Sequence, residues 1–180
     1  YTPGPDHVTG YGEIQVQRAV TLIQAAAQGP RPFFEAQIPH TGRGVNARLR
    51  FASAPGGPFN VTLAWDDPPG LPGASLVLQN DLDLTVTAPD SSTRQPWKLS
   101  ASAPSKAATR GADRVNNLEQ VPIAKPAAGD YVVSVRGHQL ARGPQPFAVV
   151  VSSVEGLDSV TLDRDGDDAF ADTDCDDADP

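Results

Sequence analysis

The chain has 180 residues, of which 39% are hydrophobic, and this size and apolar content suit one compact domain with short additions at its ends. The formal net charge is −8, and lysine and arginine do not gather in a cluster, which excludes a nucleic-acid-binding protein of the usual kind. No run of 18 apolar residues is present, so the sequence predicts no membrane span.

The first predicted element is a helix over residues 13–27. Ile14, Ala19, Val20 and Ile23 fall roughly on one of its faces, and the Gly-Pro pair that follows ends it. No other segment has helical periodicity. Glycine and proline number 16 and 18, a content typical of an all-β domain rich in turns.

The segments that follow the helix have the character of short strands. Most alternate apolar and polar residues, the pattern of a strand with one buried face, and the others are rich in β-branched residues. They are joined by turns of proline, glycine, aspartate and serine, with no helix-sized segment between them. We therefore predict an all-β fold, an antiparallel jelly-roll β-sandwich with one N-terminal helix and an acidic C-terminal tail. The predicted strands are residues 33–38, 45–52, 59–65, 82–88, 97–99, 119–123, 131–135 and 147–154.

The C-terminal end of the chain differs in composition from the rest. Residues 158–180 contain ten aspartates and one arginine, whereas the remainder of the chain is nearly neutral. From residue 156 onward the sequence lacks apolar periodicity, so we predict an extended tail unless a metal organises it. Cys175, the one cysteine, is expected to pair with a cysteine beyond residue 180.

Aspartates recur in this tail at the spacing of a calcium-binding loop. Ca²⁺ accepts six to eight oxygen ligands, and carboxylates at loop positions 1, 3, 5 and 12 converge on it in an EF-hand. The pattern departs from an EF-hand because Asp168 stands where glycine belongs and because aspartate replaces the final glutamate. A solvated acidic tail is the alternative. The predicted ligands are Asp163, Asp165, Asp167 and Asp174.

A second group of oxygen-bearing side chains lies at predicted strand ends within the body. Clusters of this kind on loops are typical of sites for hard cations. The alternative is structural, with Asn80 and Asp81 capping a turn and Asp83 facing solvent. The candidate metal ligands are Asn80, Asp81, Asp83, Asp113, Asn116 and Asn117.

The sequence offers little for catalysis. His7, His40 and His138 lie in segments with the composition of loops, and no serine stands in a Gly-x-Ser-x-Gly turn, so we predict no catalytic residue in this chain. Trp65 and Trp97 are candidates for sugar stacking, although Trp65 continues an inward-facing alternation that favours core packing.

Several motifs resemble those of a known family. The segment 10–20, which opens Gly-Tyr-Gly, resembles the end of the subtilisin-like catalytic domain, where such a turn leads into the last helix. Residues 163–180, with Asp-x-Asp-Gly-Asp followed by Asp-Cys-Asp-Asp, resemble one thrombospondin type 3 repeat. Five further segments resemble the C-terminal jelly roll of secreted bacterial subtilases, which is related to the P-domains of kexin-like convertases: 63–70, 78–84, 116–121, 129–135 and 143–148.

The resemblance implies a division into three parts and a function. Residues 1–30 are expected to close a catalytic domain, residues 31–154 to form the P-domain-like jelly roll, and residues 155–180 to form a calcium-binding repeat. The family's Asp, His and Gly-Thr-Ser-Met-Ala motifs are absent, so the chain is expected to be inactive alone. It is expected to serve a secreted bacterial serine endopeptidase as an accessory domain. Its expected partners are the catalytic domain of the same polypeptide and the protein substrate, and its expected cofactor is Ca²⁺. The alternative function is an extracellular carbohydrate- or surface-binding module.

Overall fold

The computed structural model describes residues 4–74, 77–164 and 170. Its helix, α1, spans Val16–Ala26 within the predicted range 13–27. Eleven strands follow in the described part of the chain. Their bounds are β1 Phe33–Ile38, β2 Gly44–Phe51, β3 Phe59–Ala64, β4 Asn80–Thr87, β5 Thr93–Arg94, β6 Trp97–Lys98, β7 Thr109–Arg110, β8 Leu118–Ile123, β9 Gly129–Leu140, β10 Gln145–Val151 and β11 Leu157–Asp163.

The strands form two antiparallel sheets and one short ribbon. Sheet I has the order β1-β10-β3-β8, sheet II has the order β11-β2-β9-β4-β5, and β6 pairs with β7 in the ribbon. Strands β1 to β4 alternate between the two sheets, and β8 to β10 alternate again, which is the double wrap of a jelly roll. The prediction of an antiparallel jelly-roll sandwich is therefore confirmed.

The core lies between the sheets and follows the alternation in the sequence. The inward positions of β2, β3 and β4 are almost fully buried, as the sequence predicted. Phe51 of sheet II stacks on Phe59 of sheet I with ring centroids 5.2 Å apart, and Tyr131 meets both rings edge-on at 5.6 Å. These three rings join the two layers, because aromatic side chains bury a large apolar area and favour stacked and edge-to-face contacts.

The extended tail predicted from residue 156 is wrong for its first residues. Leu157–Asp163 form β11, which pairs with β2 at the edge of sheet II. Leu157 is buried, and Val160 and Leu162 pack against the core. Edge pairing requires only backbone donors and acceptors, so an acidic composition does not prevent it.

Candidate functional site

A network of buried polar groups closes one end of the sandwich, around Asn80 at the start of β4. The Asn80 side chain is fully buried. Its amide nitrogen donates to the Arg142 carbonyl at 2.6 Å and to Oε1 of Gln145 at 2.7 Å, and its amide oxygen accepts from the Arg142 backbone N–H at 3.1 Å. Asn80 thereby joins the start of β4 to the turn between β9 and β10.

The segment after β3 belongs to the same network. The two carboxylate oxygens of Asp67 accept from the backbone N–H groups of Gln79 and Asn80 at 2.8 and 2.7 Å. Nε1 of Trp65 donates to the Asn80 carbonyl at 2.9 Å, and Nδ2 of Asn117 donates to the Trp65 carbonyl at 2.8 Å. Buried polar groups are costly without partners, so this mutual satisfaction holds the strand ends in register.

The 113–117 loop, which precedes β8, is organised by Asp113. Its carboxylate accepts from the backbone N–H groups of Val115 and Asn116 at 2.9 and 3.3 Å, and from Nδ2 of Asn116 at 2.6 Å. An aspartate that accepts from backbone groups two and three residues ahead is a turn-capping residue.

Glu119 of β8 reaches between the two sheets. Its carboxylate accepts from the Leu84 N–H of β4 at 2.6 Å and from the Asp113 N–H at 3.2 Å, and its side chain is fully buried. Burial raises the pKa of Glu119 to about 8 and outweighs the two backbone hydrogen bonds, which lower this pKa, while the charges of Asp83 and Asp113 make smaller contributions that raise it. Glu119 is therefore a buried ionisable group that links sheet I to sheet II.

Asp81 and Asp83 lie together on the outer face of β4, where Arg114 holds them. One guanidinium nitrogen of Arg114 donates to Asp81 at 3.2 Å and also to Asp83, and the other donates to Asp83 at 3.2 Å. Nδ1 of His138 lies 3.8 Å from Asp83. Burial raises the pKa of Asp81 despite the nearby Arg114.

The structure gives each of the six body candidates a protein partner, and it brings Asp113 against Asn116 and Asp81 beside Asp83. Asn80, Asp113, Asn116 and Asn117 serve as hydrogen-bonding caps, and Arg114 pairs with Asp81 and Asp83, whereas the structural alternative placed Asp81 in a turn cap and Asp83 in solvent. Among the described residues no three histidine, cysteine, aspartate or glutamate side chains are grouped to hold a metal. The arrangement favours capping, and calcium binding by these six residues stays a prediction.

In the acidic C-terminal segment only Asp163 of the four predicted ligands lies within the described residues; Asp165, Asp167 and Asp174 lie outside them. Asp163 ends β11 and is fully buried, and its carboxylate accepts from Nδ2 of Asn46 at 3.2 Å. The Phe170 ring lies over the Arg48 guanidinium, 4.7 Å from the ring centroid. Asp163 thus stands at the end of a strand, and Phe170 contacts the neighbouring strand β2.

Neither tryptophan offers a free face for stacking on a sugar. Trp65 is 4% exposed, which confirms the prediction of core packing. Trp97 is covered by Arg110, whose guanidinium carbon lies 3.5 Å from the ring centroid, and by Gly4, where an added Cβ would lie 2.8 Å from the ring.

Three participants were not identified from the sequence: Arg114, Asp67 and Gln145. Each bonds to at least one residue 12 or more positions away, so no local spacing marks them. Glu119 did carry a signal, because it stands on the same alternating face as Val121 and Ile123, which are buried. A charged residue in that phase indicates a buried, hydrogen-bonded carboxyl group.

No helix in the described part of the chain is long and apolar enough to cross a membrane.

No family model matches the sequence. The chain is similar to three proteins of Dictyostelium discoideum. Serine protease/ABC transporter B family protein tagA is 24% identical over 155 residues, which are 84% of this chain and 9% of that protein.

Serine protease/ABC transporter B family protein tagD is 32% identical over 104 residues, and tagB is 31% identical over 97 residues. Each match covers 53% of this chain and 6% or 5% of the relative. The chain thus spans less than a tenth of the length of these relatives. The similarities link it to protease-related proteins.

Proposed function

We propose that the chain is the non-catalytic C-terminal part of a secreted, calcium-dependent, subtilisin-like serine endopeptidase. In this proposal residues 1–30 complete the catalytic domain, residues 31–154 form a P-domain-like module that stabilises it or positions protein substrate, and residues 155–180 form a thrombospondin type 3-like repeat. The printed names of the relatives support the protease link. The observation that carries the proposal is the exposed apolar side of α1.

The apolar side of α1 lacks a cover within the described residues. Val16, Val20 and Ile23, spaced to fall on one side of the helix, are 64%, 40% and 65% exposed, and no residue of α1 is fully buried. A helix of 11 residues is marginally stable in water by itself, and its stability comes from packing an apolar face. A catalytic domain that receives this side would supply that packing.

A charge placed on the apolar side of α1 should lower the stability of the full-length polypeptide and leave the stability of the isolated chain almost unchanged. We expect Ile23→Asp to cost about 2–4 kcal/mol of interface stability in the full-length protein, because a buried apolar side chain is replaced by an unpaired charge. In the isolated chain the same change should cost less than about 0.5 kcal/mol. Thermal unfolding of both forms, and the half-life of peptidase activity of the full-length form, provide the measurement.

Thr21→Asp is the matched control, because it adds the same charge at an exposed position on the opposite side of the helix. Equal effects of the two substitutions on the full-length protein would contradict the assignment of this side of α1 to a domain interface.

Calcium is proposed to bind the acidic segment through Asp163, Asp165, Asp167 and Asp174. Support comes from the spacing of the carboxylates and from the position of Asp163 at the end of β11, which lets a bound ion stabilise the edge of sheet II. We expect Ca²⁺ at about 100 times its dissociation constant to add about 3 kcal/mol to the free energy of unfolding.

Calorimetric titration of the full chain with CaCl₂ and melting curves with and without EDTA test this expectation. Asp163→Asn should reduce the effect, whereas Asp158→Asn, an exposed position on the same strand, should leave it unchanged. The absence of any binding heat would remove calcium from the proposal and leave the protease link in place.

A further inference from the structure

The segment of residues 4–12, which precedes α1, lies on the β6–β7 ribbon. Gly4 packs against the Trp97 ring so closely that an added Cβ would lie 2.8 Å from a ring carbon, and its φ of 94° also favours glycine. Nε2 of His7 lies 3.2 Å from the carbonyl oxygen of Ser100, which belongs to the loop between β6 and β7. The segment therefore contacts a strand of the ribbon and also its loop.

Hydrogen bonds within the segment give it a compact shape. The backbones of Asp6 and Gly10 bond to each other in both directions, at 3.1 and 3.0 Å. The Asp6 carboxylate accepts from the backbone N–H groups of Val8 and Thr9 at 2.8 and 2.6 Å, and Pro5 is buried. The segment is thus a closed turn that the ribbon supports.

Tyr11 brings the same segment to the 113–117 loop. Burial raises the pKa of Tyr11 to about 12, and the charges of Asp113 and Glu119 add to that rise, which places the phenol near both carboxyl groups. Three parts of the chain therefore share one continuous surface. We call it the ribbon face, and it consists of residues 4–14, the ribbon with its loop (residues 97–110) and the 113–117 loop.

The ribbon face exposes three aliphatic side chains. Val8 is 92% exposed, Ile14 is 90% exposed, and Val115 in the 113–117 loop is 67% exposed. A single exposed valine or isoleucine is ordinary on a protein surface. Several on one surface, around a segment that is itself bound there, are typical of an interface with another domain.

The ribbon adds positive charge to this surface. Residues 93–112 contain no acidic residue, and all four of their basic residues are exposed: Arg94, Lys98, Lys106 and Arg110. The guanidinium group of Arg110 lies over the Trp97 ring, on the same ring that Gly4 contacts. Within a chain of net charge −8, this stretch favours a partner surface that carries carboxylates.

We propose that the ribbon face is the surface of the jelly roll that the catalytic domain of the same polypeptide contacts. Apolar side chains of that domain would cover Val8, Ile14 and Val115, and its carboxylates would face the basic residues of the ribbon. The inference rests on the proposed function, which assigns residues 1–30 to the catalytic domain. Because residues 4–12 already lie on the ribbon, a domain that these residues complete adjoins this surface.

Hydrogen–deuterium exchange tests the proposal without any substitution. The full-length polypeptide is compared with the isolated chain over residues 99–117, and residues 124–128, in the exposed turn after β8, serve as the control. We expect exchange over residues 99–117 to be about fivefold or more slower in the full-length form, with less than about twofold change in the control turn. Equal exchange of the two forms over residues 99–117 would overturn the proposal. Slowing that appears in the isolated chain as its concentration rises would also overturn it, because a second copy would then cover the surface.

A matched pair of substitutions tests the charge. Lys106→Glu and Lys125→Glu reverse the same charge at two exposed lysines, one in the ribbon loop and the other in the turn after β8. We expect Lys106→Glu to shorten the half-life of the full-length peptidase at elevated temperature about threefold or more, because it sets a negative charge against carboxylates of the partner. Lys125→Glu should change this half-life less than about 1.5-fold, and both variants of the isolated chain should melt within about 1 °C of the native chain.

The outcomes separate this inference from the proposed function. If the full-length protein is an active peptidase that Ile23→Asp destabilises, while Lys106→Glu and Lys125→Glu have equal effects, the catalytic domain contacts α1 but not the ribbon, and this inference alone is overturned. A full-length protein without peptidase activity overturns the proposed function and this inference together. Selective slowing of exchange over residues 99–117 and a selective effect of Lys106→Glu support it.

Discussion

Raising the pH from about 5.5 to about 9 is expected to lower the free energy of unfolding of this chain, and Glu119→Gln is expected to remove most of that loss. Glu119 is fully buried between the sheets, and burial raises its pKa to about 8 from a model-peptide value of 4.5. Its neutral form is thus favoured in the folded state at pH values where the unfolded chain already prefers the carboxylate.

The sign follows from the direction of this pKa change. A carboxyl group with a raised pKa in the folded state contributes its full stability below the unfolded pKa of 4.5 and loses it as the pH rises through about 8. Each pKa unit corresponds to about 1.4 kcal/mol, so the loss reaches several kcal/mol by about pH 9. Glutamine at this position carries no charge at any of these pH values.

Urea unfolding followed by tryptophan fluorescence between about pH 5 and pH 9 measures this effect. Glu119→Gln should start about 1–2 kcal/mol less stable, because the glutamine amide offers one acceptor to the two N–H groups of Leu84 and Asp113. The free energy of unfolding of this variant should then change much less with pH than that of the native chain.

Two controls separate Glu119 from other titrating groups. His138→Asn tests the histidine whose Nδ1 lies 3.8 Å from Asp83. Tyr11→Phe tests the tyrosine whose pKa is raised to about 12 by burial and by the charges of Asp113 and Glu119, and it should leave the slope below pH 9 unchanged. If the free energy of unfolding of Glu119→Gln still falls with pH as steeply as that of the native chain, another group causes the pH dependence.

The alternation of apolar and polar residues predicted the two-layer fold, because it indicates strands that bury one face and expose the other. Leu82, Leu84 and Val86 illustrate this, since all three are buried at the expected phase. Strand β11 was missed because its apolar residues Val160 and Leu162 lie in a short segment between Asp158 and Asp163, at the start of the acidic region. An edge strand is held by backbone hydrogen bonds that any side chain permits. Strands β5 and β7 have two residues each, which is too short for any periodicity.

The sequence indicated which oxygen-bearing side chains lie at strand ends, but not which groups they bind. Of these residues, Asn80 and Asn117 both bond to Trp65 at one end of the sandwich. Whether such oxygens face a cation or a protein donor depends on residues distant in sequence. Arg114 supplies that donor to Asp81 and Asp83, and it lies more than 30 residues from both.

Asn80→Asp is expected to be about 3–5 kcal/mol less stable than the native chain at neutral pH, and calcium should leave that difference unchanged. The amide nitrogen of Asn80 donates to the Arg142 carbonyl and to Oε1 of Gln145, and a carboxylate would turn a negative oxygen toward both acceptors. Gln145 is prevented from reversing its amide, because its nitrogen already donates to the carbonyls of Asp66 and Pro146 at 3.2 and 2.7 Å.

Asn60→Asp is the matched control, since it makes the same change of charge at a half-buried position whose side chain has no hydrogen bond among the described residues. It should cost less than about 0.5 kcal/mol. Urea unfolding with CaCl₂ and with EDTA then distinguishes a cap from a ligand at position 80. A cation ligand would gain from the added charge, because Ca²⁺ affinity rises with the number of charged oxygens around it. If the difference between Asn80→Asp and the native chain disappears when both are measured in CaCl₂, the strand-end network holds a metal and its hydrogen bonds are secondary.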